Sequence, residues 1–174
     1  MKISFRKYGM NVMIVCSIMA GILMVNGHWV EAKEQISPKE AASLVKKAIA
    51  IVEEKGKAGF EELRGNDFVF GRIYPVITDY SGRVFLHPTK PHLEGRSLLG
   101  MKDRDGKRFV AEMIALAREH GSGWVEYMWP KPGEKDPSTK VSYVAKGQCD
   151  GVDVICIVGL YDVNKEFCEK EAGH

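Results

Sequence analysis

The sequence predicts an α+β domain in which a long N-terminal helix precedes an antiparallel sheet of about five strands. Three observations predict it. Ser37-Pro38-Lys39-Glu40 opens a run of apolar residues at helical spacing, β-branched and aromatic runs recur five times, and most joints between those runs are short enough to be hairpins. At 174 residues, 45% hydrophobic and 28% charged, the chain holds one ordinary domain with its own core.

The first 32 residues stand apart in composition. Lys2, Arg6 and Lys7 precede an apolar run over residues 12–25, and Val30-Glu31-Ala32 offers the small residues that signal peptidase accepts. The run is shorter than the roughly 20 residues of a membrane span, so residues 1–32 read as a secretory signal peptide cleaved after Ala32. The alternative is an uncleaved anchor with Asn26, Gly27, His28 and Trp29 at the interface. Residues 33–174 form the expected single domain, in an extracytoplasmic compartment.

Each element then follows from its own residues. Ser37 and Glu40 form a capping box with proline at the first helical position, Ala41, Leu44, Val45, Ala48, Ile51 and Val52 make one apolar face, and Gly56 supplies the stop. A short helical turn is expected at residues 60–63. Residues 68–78 read as a strand, Asp79-Tyr80-Ser81-Gly82 as a turn, and residues 84–87 as its partner. Residues 88–106 form a long loop of the kind that carries function or covers a cavity. A second helix is expected over residues 107–120, where Phe109, Val110, Met113, Ile114, Leu116 and Ala117 form a stripe that Gly121 ends. Strands over residues 124–129, 140–146 and 152–161 complete the sheet, the last two joined at Asp150-Gly151.

Composition excludes some classes of function. From Lys33 onward acidic and basic residues are equal in number, so the domain lacks the concentrated positive face that nucleic acid requires. No GxSxG, Walker loop, HExxH, CxxCH or dinucleotide fingerprint occurs, and no nucleophile and base pair can be named, so no catalytic residue and no cofactor is expected. His87 and His92 flank Pro88-Thr89-Lys90-Pro91 without a third ligand or a recognised spacing, so no metal site is expected. Cys16 lies in the leader without the small residues that precede a lipidated cysteine. Of the remaining three, Cys156 sits in a buried-strand composition and reads as a core thiol, leaving Cys149 and Cys168 as the candidates for one disulfide.

The most informative stretch is residues 121–130. Strand alternation puts Tyr127 and Trp129 on one face and Trp124, Glu126 and Met128 on the other, so one aromatic pair shares a surface that can wall a small pocket or pack a core. Lys140, at the start of the following strand, lies near that pair in a hairpin and has no acidic neighbour in sequence. Such a cation, partly desolvated, can receive a carboxylate. Strict alternation puts Tyr143 on the face opposite Lys140, so the two share a site only across a bulge or with Lys140 at the mouth.

Asp79-Tyr80-Ser81-Gly82, His87-Pro88, Leu93-Glu94-Gly95, Asp105-Gly106-Lys107, the stretch from Gly123 to Pro130, Lys140-Val141-Ser142-Tyr143-Val144 and Gly159-Leu160-Tyr161, in that order, resemble the single Cache domain family. The resemblance covers roughly residues 37–162. It implies a PAS-like sheet whose one face and overlying loops enclose a small-ligand pocket, in an extracytoplasmic sensor of small organic acids or related metabolites. It further implies His87, Tyr127, Trp129, Lys140 and Tyr143 as ligand-binding residues, with Tyr74 beside them. Members of the family commonly belong to chemoreceptors and sensor kinases, implying such a membrane receptor or kinase as partner. Only residues 162–174 follow the last strand, so signalling is expected through a partner rather than within the chain. The alternative is a structural or interaction module of the same fold without a ligand.

Overall fold

The computed structural model describes residues 22–25, 28–31 and 35–173, in two units that divide between Ala32 and Lys33. In the first unit β1 (Ile22–Val25) pairs antiparallel with β2 (His28–Glu31), with Ile22 opposite Glu31 and Val25 opposite His28. The basic start of the expected leader, Cys16 and the expected cleavage point lie outside the described residues. Among the described residues, no helix is long and apolar enough to cross a membrane.

The second unit opens on α1 (Pro38–Lys55), and its first turn is closed reciprocally. Ser37 N–H donates to Glu40 Oε2 at 2.8 Å, and Glu40 N–H donates to Ser37 Oγ at 3.3 Å. Gly56 stops the helix at φ 57°, and a Cβ there would run into the Asp150 carboxylate of the last hairpin turn. A 3-10 turn leads to α2 (Phe60–Leu63), the helical turn expected from sequence.

Five strands follow: β3 (Pro75–Asp79), β4 (Val84–Leu86), β5 (Ser122–Pro130), β6 (Pro137–Cys149) and β7 (Val152–Tyr161). They pair antiparallel in the order β4-β3-β7-β6-β5, so the last strand lies in the middle of the sheet. Asp150 and Gly151 both take positive φ, the backbone a two-residue hairpin demands. α3 (Phe109–His120) lies between β4 and β5 in sequence, and α4 (Lys165–Ala172) closes the chain. α4 has no counterpart in the sequence expectations; Asn164 caps it through Phe167 N–H at 2.8 Å.

The expected strand over residues 68–78 is shorter than its composition implied. Phe70 and Ile73 bond to each other around Gly71, at φ 54°, and the ladder begins only at Pro75. Phe68 and Ile73 are buried, so their bulk serves the core rather than a strand.

Two cores sit on the two faces of the sheet, as the period-two alternation requires. On one, Ala41, Val45, Ala48 and Val52 of α1 pack with Trp124, Val141, Tyr143 and Cys156. On the other, Phe109, Val110, Met113 and Ile114 of α3 pack with Val125, Tyr127, Val144, Ile155 and Ile157.

The disulfide expected between Cys149 and Cys168 is absent. Cys149, Cys156 and Cys168 are free and buried. Cys149 ends β6 opposite Val152, whereas Cys168 lies near Glu126, whose ladder partner is Val141. Val141 and Cys149 are separated along β6 by roughly 25 Å of extended chain, far beyond the reach of a disulfide. Burial pushes the Cys156 thiol up to about 12. Maleimide is therefore expected to leave Cys156 unmodified in the native protein and to label it once denaturant is added, with peptide mass spectrometry as the readout. Rapid native labelling at Cys156 would contradict its place in the core.

Candidate functional site

The face of the sheet under α3 is not fully filled. A cavity of about 70 Å³ lies there, walled by Tyr74, Val76 and Thr78 of β3 and its approach, Tyr127 and Trp129 of β5, Lys140 and Ser142 of β6, and Ile157 and Gly159 of β7. Phe109, Val110 and Met113 roof it, and His87, Lys90, Leu93, Leu98 and Met101 close it from the long loop. One water needs roughly 10–15 Å³ of such space, so the cavity has room for about five to seven water-sized groups, the size of a short organic acid.

Lys140 is 6% exposed, and none of the residues around the cavity is acidic. Its ammonium lies 4.8 Å from the Tyr161 ring centroid and 5.4 Å from that of Tyr74, and among the described residues no carboxylate pairs with it. Burial, then the nearby Lys90 ammonium, pulls its pKa down to about 7. The local sequence makes room for it: a Cβ on Gly159 would collide with Lys140 Cε and crowd Ser142 Oγ, so the side chain crosses β7 where that strand has no side chain.

His87, 7% exposed, ends β4 at the mouth of the loop. Lys90 N–H donates to its Nδ1 at 3.2 Å, which leaves Nε2 to carry the ring proton. Burial first, then Lys90 and Lys140, lower its pKa to about 4, so the ring is neutral at pH 7. Its ring lies 5.4 Å from that of Tyr74, whose hydroxyl burial holds above the usual phenol range. Glu94 fixes this corner: it takes two bonds from Arg64 Nη2, at 2.8 and 3.0 Å, and a third from His87 N–H at 2.8 Å.

The aromatic wall is built by stacking. Phe109 lies parallel to Tyr127 at 4.3 Å and tilted against Trp129 at 5.2 Å. Tyr127 Oη and Ser142 Oγ share a hydrogen bond of 3.0 Å, and Lys90 Nζ stands 5.9 Å over Trp129. The site thus combines apolar walls, one neutral imidazole donor and two ammonium groups, an arrangement suited to holding a small anion.

Tyr74, His87, Tyr127, Trp129 and Lys140 meet around this cavity. Tyr143 does not, and this corrects the expectation. With no bulge between β5 and β6, alternation turns it to the α1 face, where it packs fully buried against Trp124 at 5.0 Å. Sequence reasoning missed Thr78, Lys90, Phe109, Ser142 and Gly159. Ser142 had a signal, standing two residues beyond Lys140 on the same strand face; Lys90 and Phe109 reach the cavity only through packing of the loop and α3.

A family model described as a Cache domain matches residues 17–147. The methyl-accepting chemotaxis protein McpP of Pseudomonas putida is 36% identical over 97 residues, 56% of this chain and 18% of that protein. The sensor histidine kinase MctS of Rhizobium johnstonii is 35% identical over 71 residues, 41% of this chain and 15% of that protein. The chain thus spans less than a fifth of the length of either relative. Among solved structures, a periplasmic sensor domain of a chemotaxis protein is 33% identical with a TM-score of 0.58, covering 72% of this chain and 90% of its own. A Cache chemosensory domain described for carboxylic acid recognition is 32% identical with a TM-score of 0.61, covering 71% and 92%.

Proposed function

The chain belongs to the Cache domain family, and from that premise we propose that residues 33–174 are an extracytoplasmic sensor domain that captures a small carboxylate. One observation carries this reading: the Lys140 amine is buried in a cavity that contains no acidic side chain. An isolated buried ammonium is costly, and a bound carboxylate supplies the missing counter-charge where low dielectric strengthens the pair. His87 Nε2 and the Tyr74 hydroxyl stand ready to bond the second carboxylate oxygen, while Tyr127, Trp129 and Phe109 enclose the carbon chain. Residues 1–32 direct export or anchor the domain, and a membrane receptor or sensor kinase is the partner that reads the bound state. On this reading the domain's activity is binding, with Lys140, Lys90 and His87 supplying the groups that hold a carboxylate.

A thermal-shift series on the exported domain tests this. Short monocarboxylates at millimolar concentration are expected to raise the melting temperature, while the matching amides, equal in shape but uncharged, leave it unchanged. Equal shifts from acids and amides, or none from either, would reject the carboxylate reading and favour an interaction module of the same fold.

A further inference from the structure

The cavity contains a polar group that a short acid held at Lys140 does not reach. Thr78 is 1% exposed, it lines the cavity, and its Oγ1 is sealed from solvent without a hydrogen-bond partner. A hydroxyl sequestered in this way is unfavourable, and native interiors rarely leave one unpaired. Its place in the sheet matters. Thr78 pairs across with Ile155, whereas Val76 pairs with Ile157, so Tyr74 falls beside Gly159 at the cationic end. Tyr74 and Thr78 are four residues apart on one face of extended chain, roughly 13 Å between Cα atoms. Between them the wall is apolar: Val76 and Ile157 below, Val110 and Met113 above.

We propose that Thr78 is a second, distal polar contact of the ligand site, so that the favoured ligand is an acid with a hydrogen-bonding group at the far end of a short apolar chain. The inference rests on the carboxylate reading. The carboxylate sits under Lys140, the chain lies along Val76 and Ile157, and a turn of the Thr78 side chain about χ1 brings Oγ1, which is closed off in the free protein, onto a terminal hydroxyl, carbonyl or amide. A plain alkyl acid long enough to fill the slot leaves that hydroxyl buried against a methyl group, and sites that hydrogen-bond a ligand group discriminate strongly against analogues lacking it. The apolar stretch between the two ends limits the chain to about four to six atoms, since each end also takes up a hydrogen-bond length.

Calorimetric titration with butanoate, pentanoate, 4-hydroxybutanoate and 5-hydroxypentanoate decides this, on wild type and on Thr78→Val, which keeps the shape and removes the hydroxyl. In wild type one ω-hydroxy acid is expected to bind about tenfold more tightly than its unsubstituted partner. In Thr78→Val that preference should vanish while the plain acid binds as well as before or better. Equal affinity of hydroxylated and plain acids for wild type overturns the distal contact and leaves the carboxylate reading intact. Failure of all four acids to bind a folded wild-type domain overturns the distal contact, and failure of acetate and propanoate as well overturns the carboxylate reading.

Discussion

Lys140→Met is expected to weaken binding of a short carboxylate by a factor of roughly 30 to 1,000, equivalent to about 2–4 kcal/mol, the loss from truncating one partner of a buried charged pair. The fold should not suffer. Methionine has nearly the same length, it still fits the space that Gly159 leaves open, and it removes an ammonium that the free protein keeps at 6% exposure without a carboxylate. The melting temperature of the free variant is therefore expected to equal or exceed that of wild type. Titration calorimetry and thermal denaturation measure the two quantities separately. Equal dissociation constants for wild type and variant would place the ligand away from Lys140.

Carboxylate affinity is expected to fall as pH rises above about 7, by close to tenfold per unit. Lys140 is at about 7 in the free protein, and a bound carboxylate favours its charged form, so binding in alkaline solution takes up a proton. The decline ends where pH reaches the higher pKa of the complex. On the acid side His87, held at about 4 in the free protein, is neutral at pH 7 and adds no transition there. Stability of the free domain runs the other way. The folded pKa of Lys140 lies below its unfolded value, so between about pH 7 and 10 the unfolded chain binds more protons and stability rises with pH. Calorimetry at pH 8 in two buffers of different ionisation enthalpy reads the proton uptake, and Lys140→Met should abolish it. Uptake of no proton at pH 8 by wild type would mean that Lys140 is already charged before the ligand arrives.

Much of this architecture could be read locally. The capping box, the Gly56 and Gly121 stops and the Asp150-Gly151 hairpin act over three or four residues, so sequence alone carries them. The Tyr127, Trp129 and Lys140 cluster was legible for a related reason: alternation within one hairpin fixes which side chains share a face. Tyr143 shows that alternation is the stronger guide where a resemblance and the strand period disagree. The rest depends on strand order. Gly159 matters to Lys140 only because β7 lies between β3 and β6, and nothing within β7 announces that position. Phe68 and Ile73 misled because burial in a loop and burial in a strand select the same residue types. The Cys149 and Cys168 pairing failed because a count of thiols carries no distance.

The long loop has a consequence for how this domain behaves among its neighbours. Where it leaves the cavity it runs along β4, with Val84 N–H donating to Arg96 O, Gly95 N–H to Val84 O and Leu98 N–H to Gly82 O. It then crosses to the opposite border of the sheet, where Asp103 Oδ2 accepts Met128 N–H at 3.0 Å and Lys107 Nζ donates to Glu126 O at 2.6 Å. The same segment therefore occupies hydrogen-bonding groups on both outermost strands. A sheet edge left free is a template for another chain, and crowded surroundings make such templating dangerous. Here the segment that shuts the ligand in also shuts foreign strands out, so loosening it would expose the protein to aggregation as well as to loss of its ligand.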